Sequence, residues 1–233
     1  NNILAYTAQE KASPPPATAG EVTASDAIQG GISNDLILGA LGIFALFFIA
    51  GLIPALLYSK YDIQIYINQF FHPVANNIFL FFTHLAEGWF TIPLLIGLVI
   101  YSWRKSLFIG ITYLVSTLLV QFFKRLVFDQ LDRPHGEKEI VRHPGYNWLP
   151  DIEMPAYYSF PSGHTTTAFC IFLGLSLLTK NKKLGIAYMI IACLIGFSRT
   201  YLSFHFLMDI VAGSLLGVLT TLLLYFALRK KLK

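Results

Sequence analysis

Leu36–Tyr58 runs for 23 residues without a charged side chain. As a helix rising roughly 1.5 Å per residue, such a run crosses the roughly 30 Å hydrocarbon layer of a bilayer. Further apolar stretches follow at Gly88–Trp103, Ser106–Phe123, Gly163–Thr179, Leu184–Phe197 and Ile210–Leu228. In lipid every backbone N–H and C=O must find an internal partner, so runs this long are read as helices. Composition agrees: of 233 residues 55% are hydrophobic and only 13% charged, against about 25% in soluble domains. With a mean hydropathy of +0.59, this excludes an ordinary soluble globule, a disordered chain and a fibrous repeat. The expected fold class is an all-α integral membrane protein of six transmembrane helices.

Two segments depart from this pattern. Residues 1–35 are rich in Ala, Pro, Ser, Thr and Gly, contain Ser13-Pro14-Pro15-Pro16, and carry one cation, Lys11. They cannot bury enough apolar area to offset their ordering entropy and are expected to form a flexible tail or linker, with residues 36–233 as the membrane domain. Tyr61–Phe82 alternates apolar and polar groups and contains His72-Pro73, the character of an amphipathic helix lying in the interface. Cys170 and Cys193 are too few for a disulfide framework or a Cys-based zinc module, and sit in apolar runs as small buried residues.

Arg104-Lys105, Lys180/Lys182/Lys183 and Arg229/Lys230/Lys231/Lys233 follow the second, fourth and sixth spans. The bias of cations toward the cytoplasm makes these the inner ends. The net charge of +4 is thereby a topology signal, and no nucleic-acid partner is expected. The 124–160 connection and the 198–209 turn then share the opposite, periplasmic or external, face. Three clusters meet there: Lys124-Arg125 with Arg133-Pro134; Ser159-Phe160-Pro161-Ser162-Gly163-His164; and Ser198-Arg199 with His205 and Asp209. Cations, Ser and backbone N–H groups at a helix start make an anion site. Pro161 suits an early helix position, and Gly163 admits an oxyanion close to the backbone. If 205–209 is helical, Asp209 shares a face with His205 and fixes its tautomer. Together with a separate proton donor, His164, these are the parts of phosphoryl transfer through a covalent intermediate.

Pro161-Ser162-Gly163-His164 and Ser198-Arg199-x5-His205-x3-Asp209, with a preceding Lys…Arg-Pro, resemble the type 2 phosphatidic acid phosphatase (PAP2) superfamily of membrane lipid phosphatases. The first signature departs from the usual spacing: eight residues separate Lys124 from Arg133, where six are usual. Either Lys124 is displaced by a bulge or longer helix end, or Arg125 takes its place. The resemblance implies His205 as nucleophile, Asp209 as its orienting carboxylate, and His164 as the acid and then the base. It also implies a phosphate held by Lys124, Arg133, Ser162, Gly163 and Arg199, and a reaction without metal or cofactor. His84 and Glu87, three apart near the second span, are either interfacial polar groups or contacts to substrate or to the site. Thr83-His84-x-x-Glu87 and Gly196-Phe197-Ser198-Arg199-x-Tyr201-Leu202 look most like the bacterial lipid A 1-phosphatase branch. Undecaprenyl pyrophosphate and phosphatidylglycerophosphate phosphatases are the close alternatives. The implied partners are a membrane lipid phosphate and the bilayer; nothing in the residues speaks to oligomeric state. A transporter or flippase would need polar groups along the middle of several spans, and few are present.

Overall fold

The computed structural model describes residues 34–150, 152 and 155–232; the tail read for residues 1–35 lies outside them except for its last two residues. All regular structure among the described residues is helical. In chain order it comprises α1 (Asn34–Leu57), α2 (Lys60–Asn68), α3 (Pro73–His84), α4 (Gly88–Phe122) and a π turn at Phe123–Val127. Then come α5 (Lys138–Val141), α6 (Gly163–Leu178), α7 (Lys182–Tyr201), α8 (Leu207–Leu228) and a 3₁₀ turn at Arg229–Lys231. Four helical segments among the described residues are long and apolar enough to cross a membrane: Asp35–Leu57, Gly88–Val127, Lys182–Tyr201 and Leu207–Lys231. Gly163–Leu178 is apolar but shorter.

α4 is not one rod. Ser102 adopts extended backbone angles (φ −164°, ψ 105°). Beyond it the Ser106 hydroxyl donates to the Leu95 carbonyl at 2.8 Å. In a straight helix those residues would stand roughly 16 Å apart, so the chain folds back at Ser102. Gly88 and Val120, at the far ends of the two arms, accordingly line one cavity. Arg104 and Lys105, expected between two spans, belong to the first turn of the returning arm.

The amphipathic piece expected over Tyr61–Phe82 is two helices. The break falls at His72, whose side chain caps α3 by accepting from the Val74 amide, with Pro73 at the first helical position. Leu184–Phe197 is too short a reading of α7, which Asn181 caps at its start and which continues to Tyr201, carrying Arg199 inside the helix. Charge-free length underestimates a helix whose polar end residues have buried partners.

The core surrounds α6, where Phe169, Ile171, Leu173 and Leu177 are wholly buried against Phe108, Ile109, Met189 and Ile195. On α1, by contrast, Leu38 and Leu46 are more than two-thirds exposed, a lipid-facing surface. Hydroxyls buried on the helices are satisfied within their own turns: Thr112 donates to Phe108 O, Ser214 to Val211 O and Thr221 to Gly217 O, each at 2.8 Å. Lipid chains are as apolar as the helix faces, so close packing rather than burial from water holds such helices together. The pair Gly213-x-x-x-Gly217 on α8 supplies it. A Cβ at Gly213 would sit 2.6 Å from the Ser162 carbonyl, and one at Gly217 would sit 2.7 Å from the Thr166 carbonyl.

Gly217→Ala is therefore expected to destabilise the protein by about 1–3 kcal/mol through overpacking. Gly97→Ala, where nothing lies within 4 Å, should be neutral; thermal melts in detergent compare the two.

Candidate active site

The ends of α3, α6 and α7, the start of α4, the π turn and the loop before α8 surround a cavity of about 440 Å³. Its wall includes His84, Glu87, Lys124, Arg133, Gly163, His164, Arg199 and His205, residues spread over more than 120 positions of sequence.

α6 begins where the Ser162 side chain caps it and leaves the first-turn amides open toward the cavity at Gly163. Ser162 itself is fully buried and is not on the cavity wall; its Oγ accepts from Thr165 Oγ1 at 2.9 Å. Pro161 lies before the cap, outside the helix, contrary to the early-helix position expected for it. The Ser162 amide donates to the Asp209 carbonyl at 3.0 Å, so the start of α6 is tied to the first turn of α8.

His205 and Asp209 are not on one helical face as the spacing suggested, because α8 begins only at Leu207. They meet through the cap: Asp209, in the third helical position, accepts from the Phe206 amide at 3.0 Å and from His205 Nδ1 at 3.2 Å. The Ser159 hydroxyl donates to the same oxygen. With Nδ1–H committed to the carboxylate, Nε2 of the 1%-exposed His205 is the nitrogen left for chemistry in the cavity. Burial, and then the charges of Arg133, Lys124 and Arg199, hold this imidazole well below its ordinary pKa. It is thus neutral, with a lone pair, at neutral pH.

The cations come from three elements. Lys124 sits in the π turn, is buried, and donates to the Tyr158 carbonyl at 2.9 Å. Arg125 is exposed and donates to Gln121 one turn back at 3.2 Å. The wide turn thus accounts for the unusual spacing of the first motif: it rotates Lys124 inward and leaves Arg125 outside. Arg133 is half-buried, with its Nε on the Tyr157 carbonyl at 3.1 Å. Arg199 donates to Thr83 Oγ1 and lies 4.3 Å from the Phe204 ring, while its buried Nε has no partner among the described residues. A buried guanidinium with an unused N–H on the wall of such a cavity suits an oxyanion.

Glu87 accepts from Trp89 Nε1 at 2.7 Å, lies 3.0 Å from His84 Nδ1, and stands 3.9 Å from His164 Nε2. Ser159, Thr83 and Phe204 had no assigned part in the sequence reading. Ser159 was visible beside the Pro-Ser-Gly-His motif, but Thr83 touches Arg199 across 116 positions, a pairing without any local signal. The His135 ring packs 4.0 Å from Trp148 within the loop. No group of three or more His, Cys, Asp or Glu able to hold a metal ion occurs among the described residues.

Residues 105–233 match the model of the PAP2 superfamily. The chain belongs to that superfamily and is a membrane lipid phosphatase. It is 30% identical to phosphatidylglycerophosphatase B of Bacillus subtilis over 165 residues, which is 63% of this chain and 72% of that protein. It is 32% identical to the undecaprenyl-diphosphatase BcrC of Bacillus subtilis over 125 residues, 54% of this chain and 58% of that one. The crystal structure of Aquifex aeolicus LpxE superposes with a TM-score of 0.61 at 28% identity, covering 71% of this chain and 93% of that one.

Lys124→Ala is expected to lower kcat by roughly 10²-fold, the effect of removing one preorganised charge-stabilising donor; Arg125→Ala should change it less than about twofold, both read as phosphate release. Arg133→Ala removes a positive charge facing His205, so the imidazole pKa rises. The acid limb of kcat/KM should move to higher pH, which a pH–rate profile detects even when overall activity is lower.

Proposed function

We propose that the chain hydrolyses the phosphate of a membrane lipid at the outer surface of a bacterial inner membrane, through a phosphohistidine on His205 and without a metal. Six helical crossings underlie this reading: α1, the two arms of α4, α6, α7 and α8. Contacts group the helix ends. Gly185, at the start of α7, stands beside Leu36 and Ser176, and Phe108 stacks on Tyr225. One end of the bundle therefore carries Arg104, Lys105, Lys180, Lys182, Lys183 and Arg229–Lys231. By the positive-inside rule that end is cytoplasmic and the cavity faces the periplasm.

The observation that carries the proposal is the His205–Asp209 contact at 3.2 Å on a cavity whose wall also holds Lys124, Arg133, His164 and Arg199. Nε2 of His205 attacks phosphorus as the bond to the lipid oxygen breaks, and Nδ1–H stays on Asp209. His164 gives its proton to the departing oxygen. It then takes one from water, whose hydroxide displaces His205 and releases inorganic phosphate. The cations and the Gly163 amide balance charge on the phosphoryl oxygens throughout. Ser162 supports them from behind as the cap that aims this amide.

The lipid we favour is lipid A bearing a 1-phosphate. The reading rests on the Thr83-His84-x-x-Glu87 element, whose three polar residues all bear on the site, and on likeness to Aquifex aeolicus LpxE. The tail stays in the bilayer while the phosphate reaches the cavity between helix ends.

Purified protein assayed on lipid A, phosphatidylglycerophosphate, undecaprenyl diphosphate and phosphatidate is expected to show its highest kcat/KM on lipid A. A tenfold preference for another lipid would reassign the substrate. His205→Ala should abolish turnover while still folding, vanadate should inhibit as a mimic of five-coordinate phosphorus, and EDTA should not.

A further inference from the structure

Three features lie outside the motif residues. An apolar cavity of about 730 Å³ between α1, α2 and α8 has nothing in the structure to say what covers it. The hydrogen bonds joining Gln64 and Asn68 of α2 to Tyr146 and Asn147 hold the loop in place. Glu87 alone addresses a step of the reaction.

A general acid must hold its proton when the leaving oxygen needs it. His164 shares the cavity wall with Lys124, Arg133, Arg199 and His84, and like charges gathered on one wall disfavour an imidazolium. Asp209 is engaged by His205, Ser159 and the Phe206 amide. Among the described residues, Glu87 is the carboxylate within ion-pair range of His164, at 3.9 Å. That distance is too long for a hydrogen bond, so Nε2–H is not consumed by Glu87 and stays available to the substrate. Trp89 holds one carboxylate oxygen and His84 approaches the other, which fixes where the negative charge sits.

We propose that Glu87 is the positioning residue of the general acid: its carboxylate, within ion-pair range of His164, favours the imidazolium and so adapts the site to phosphate monoesters, whose alkoxide leaving groups need that proton. It serves His164 as Asp209 serves His205. A lipid diphosphate expels a phosphate anion, a far weaker base than an alkoxide, and needs the proton little; a fixed carboxylate on that side of the cavity also repels it. The inference rests on the phosphohistidine reading and extends it to the class of leaving group.

The test compares wild type, Glu87→Gln and Glu87→Asp on three substrates: phosphatidylglycerophosphate, p-nitrophenyl phosphate and farnesyl diphosphate. Glu87→Gln is expected to lose at least tenfold in kcat on the lipid monoester, within the roughly 10²–10⁴-fold that general acids supply. It should lose less than threefold on the two substrates with good leaving groups, and the basic limb of its pH profile should shift to lower pH. Glu87→Asp, which keeps the charge, should restore that limb. An equal loss on all three substrates with an unmoved basic limb would overturn the proposal and make Glu87 structural. If Glu87→Gln does not fold, an unmoved limb in Trp89→Phe, which loosens the carboxylate, would overturn it and a lowered limb would support it. Failure of the parent reading looks different: His205→Ala would then retain turnover on every substrate.

Discussion

The tie between the start of α6 and the start of α8 is the contact on which the site depends. The Ser162 amide donates to the Asp209 carbonyl, and Gly213 and Gly217 let α8 come so close to α6 that no Cβ fits between them. His164 lies two residues from one end of this bond and His205 four residues from the other. Were the two helices separated by even a methyl group at the glycines, the two imidazoles would no longer address a common phosphorus. In a bilayer, where apolar faces gain little by leaving lipid, such close backbone packing is what can specify one arrangement.

Around that tie the protein concentrates charge on the wall of one cavity. Lys124 and Arg199 are almost fully buried, a costly state unless each N–H has a partner. The Tyr158 carbonyl accepts from Lys124 and the Thr83 hydroxyl from Arg199, and the Tyr157 carbonyl accepts from Arg133 beside them. Burial first, and then the same cations, hold the His205 imidazole well below its ordinary pKa.

The membrane class, the helices and the two intact motifs were legible in the residues, because lipid enforces long apolar runs and motif spacing survives in the chain. Boundaries were less so. α7 runs past Phe197 because Ser198, Arg199 and Thr200 are buried polar residues inside a helix, which a charge-free window truncates. The His205–Asp209 contact was expected from a helical spacing and is instead made by a helix cap. The choice between Lys124 and Arg125 stayed open because adjacent residues differ only by the local winding of the backbone, and the π turn decides it.

Chain chemistry alone determined that the protein lives in a bilayer and that its long apolar runs are helical, because backbone groups in lipid must find their partners within the chain. Only the tertiary structure decided which cation lines the cavity, that Ser159 and Thr83 touch Asp209 and Arg199, and that Glu87 stands 3.9 Å from His164. Those outcomes depend on contacts between residues up to 116 positions apart, set by helix rotation and closeness of packing, for which no short stretch of sequence carries a signal.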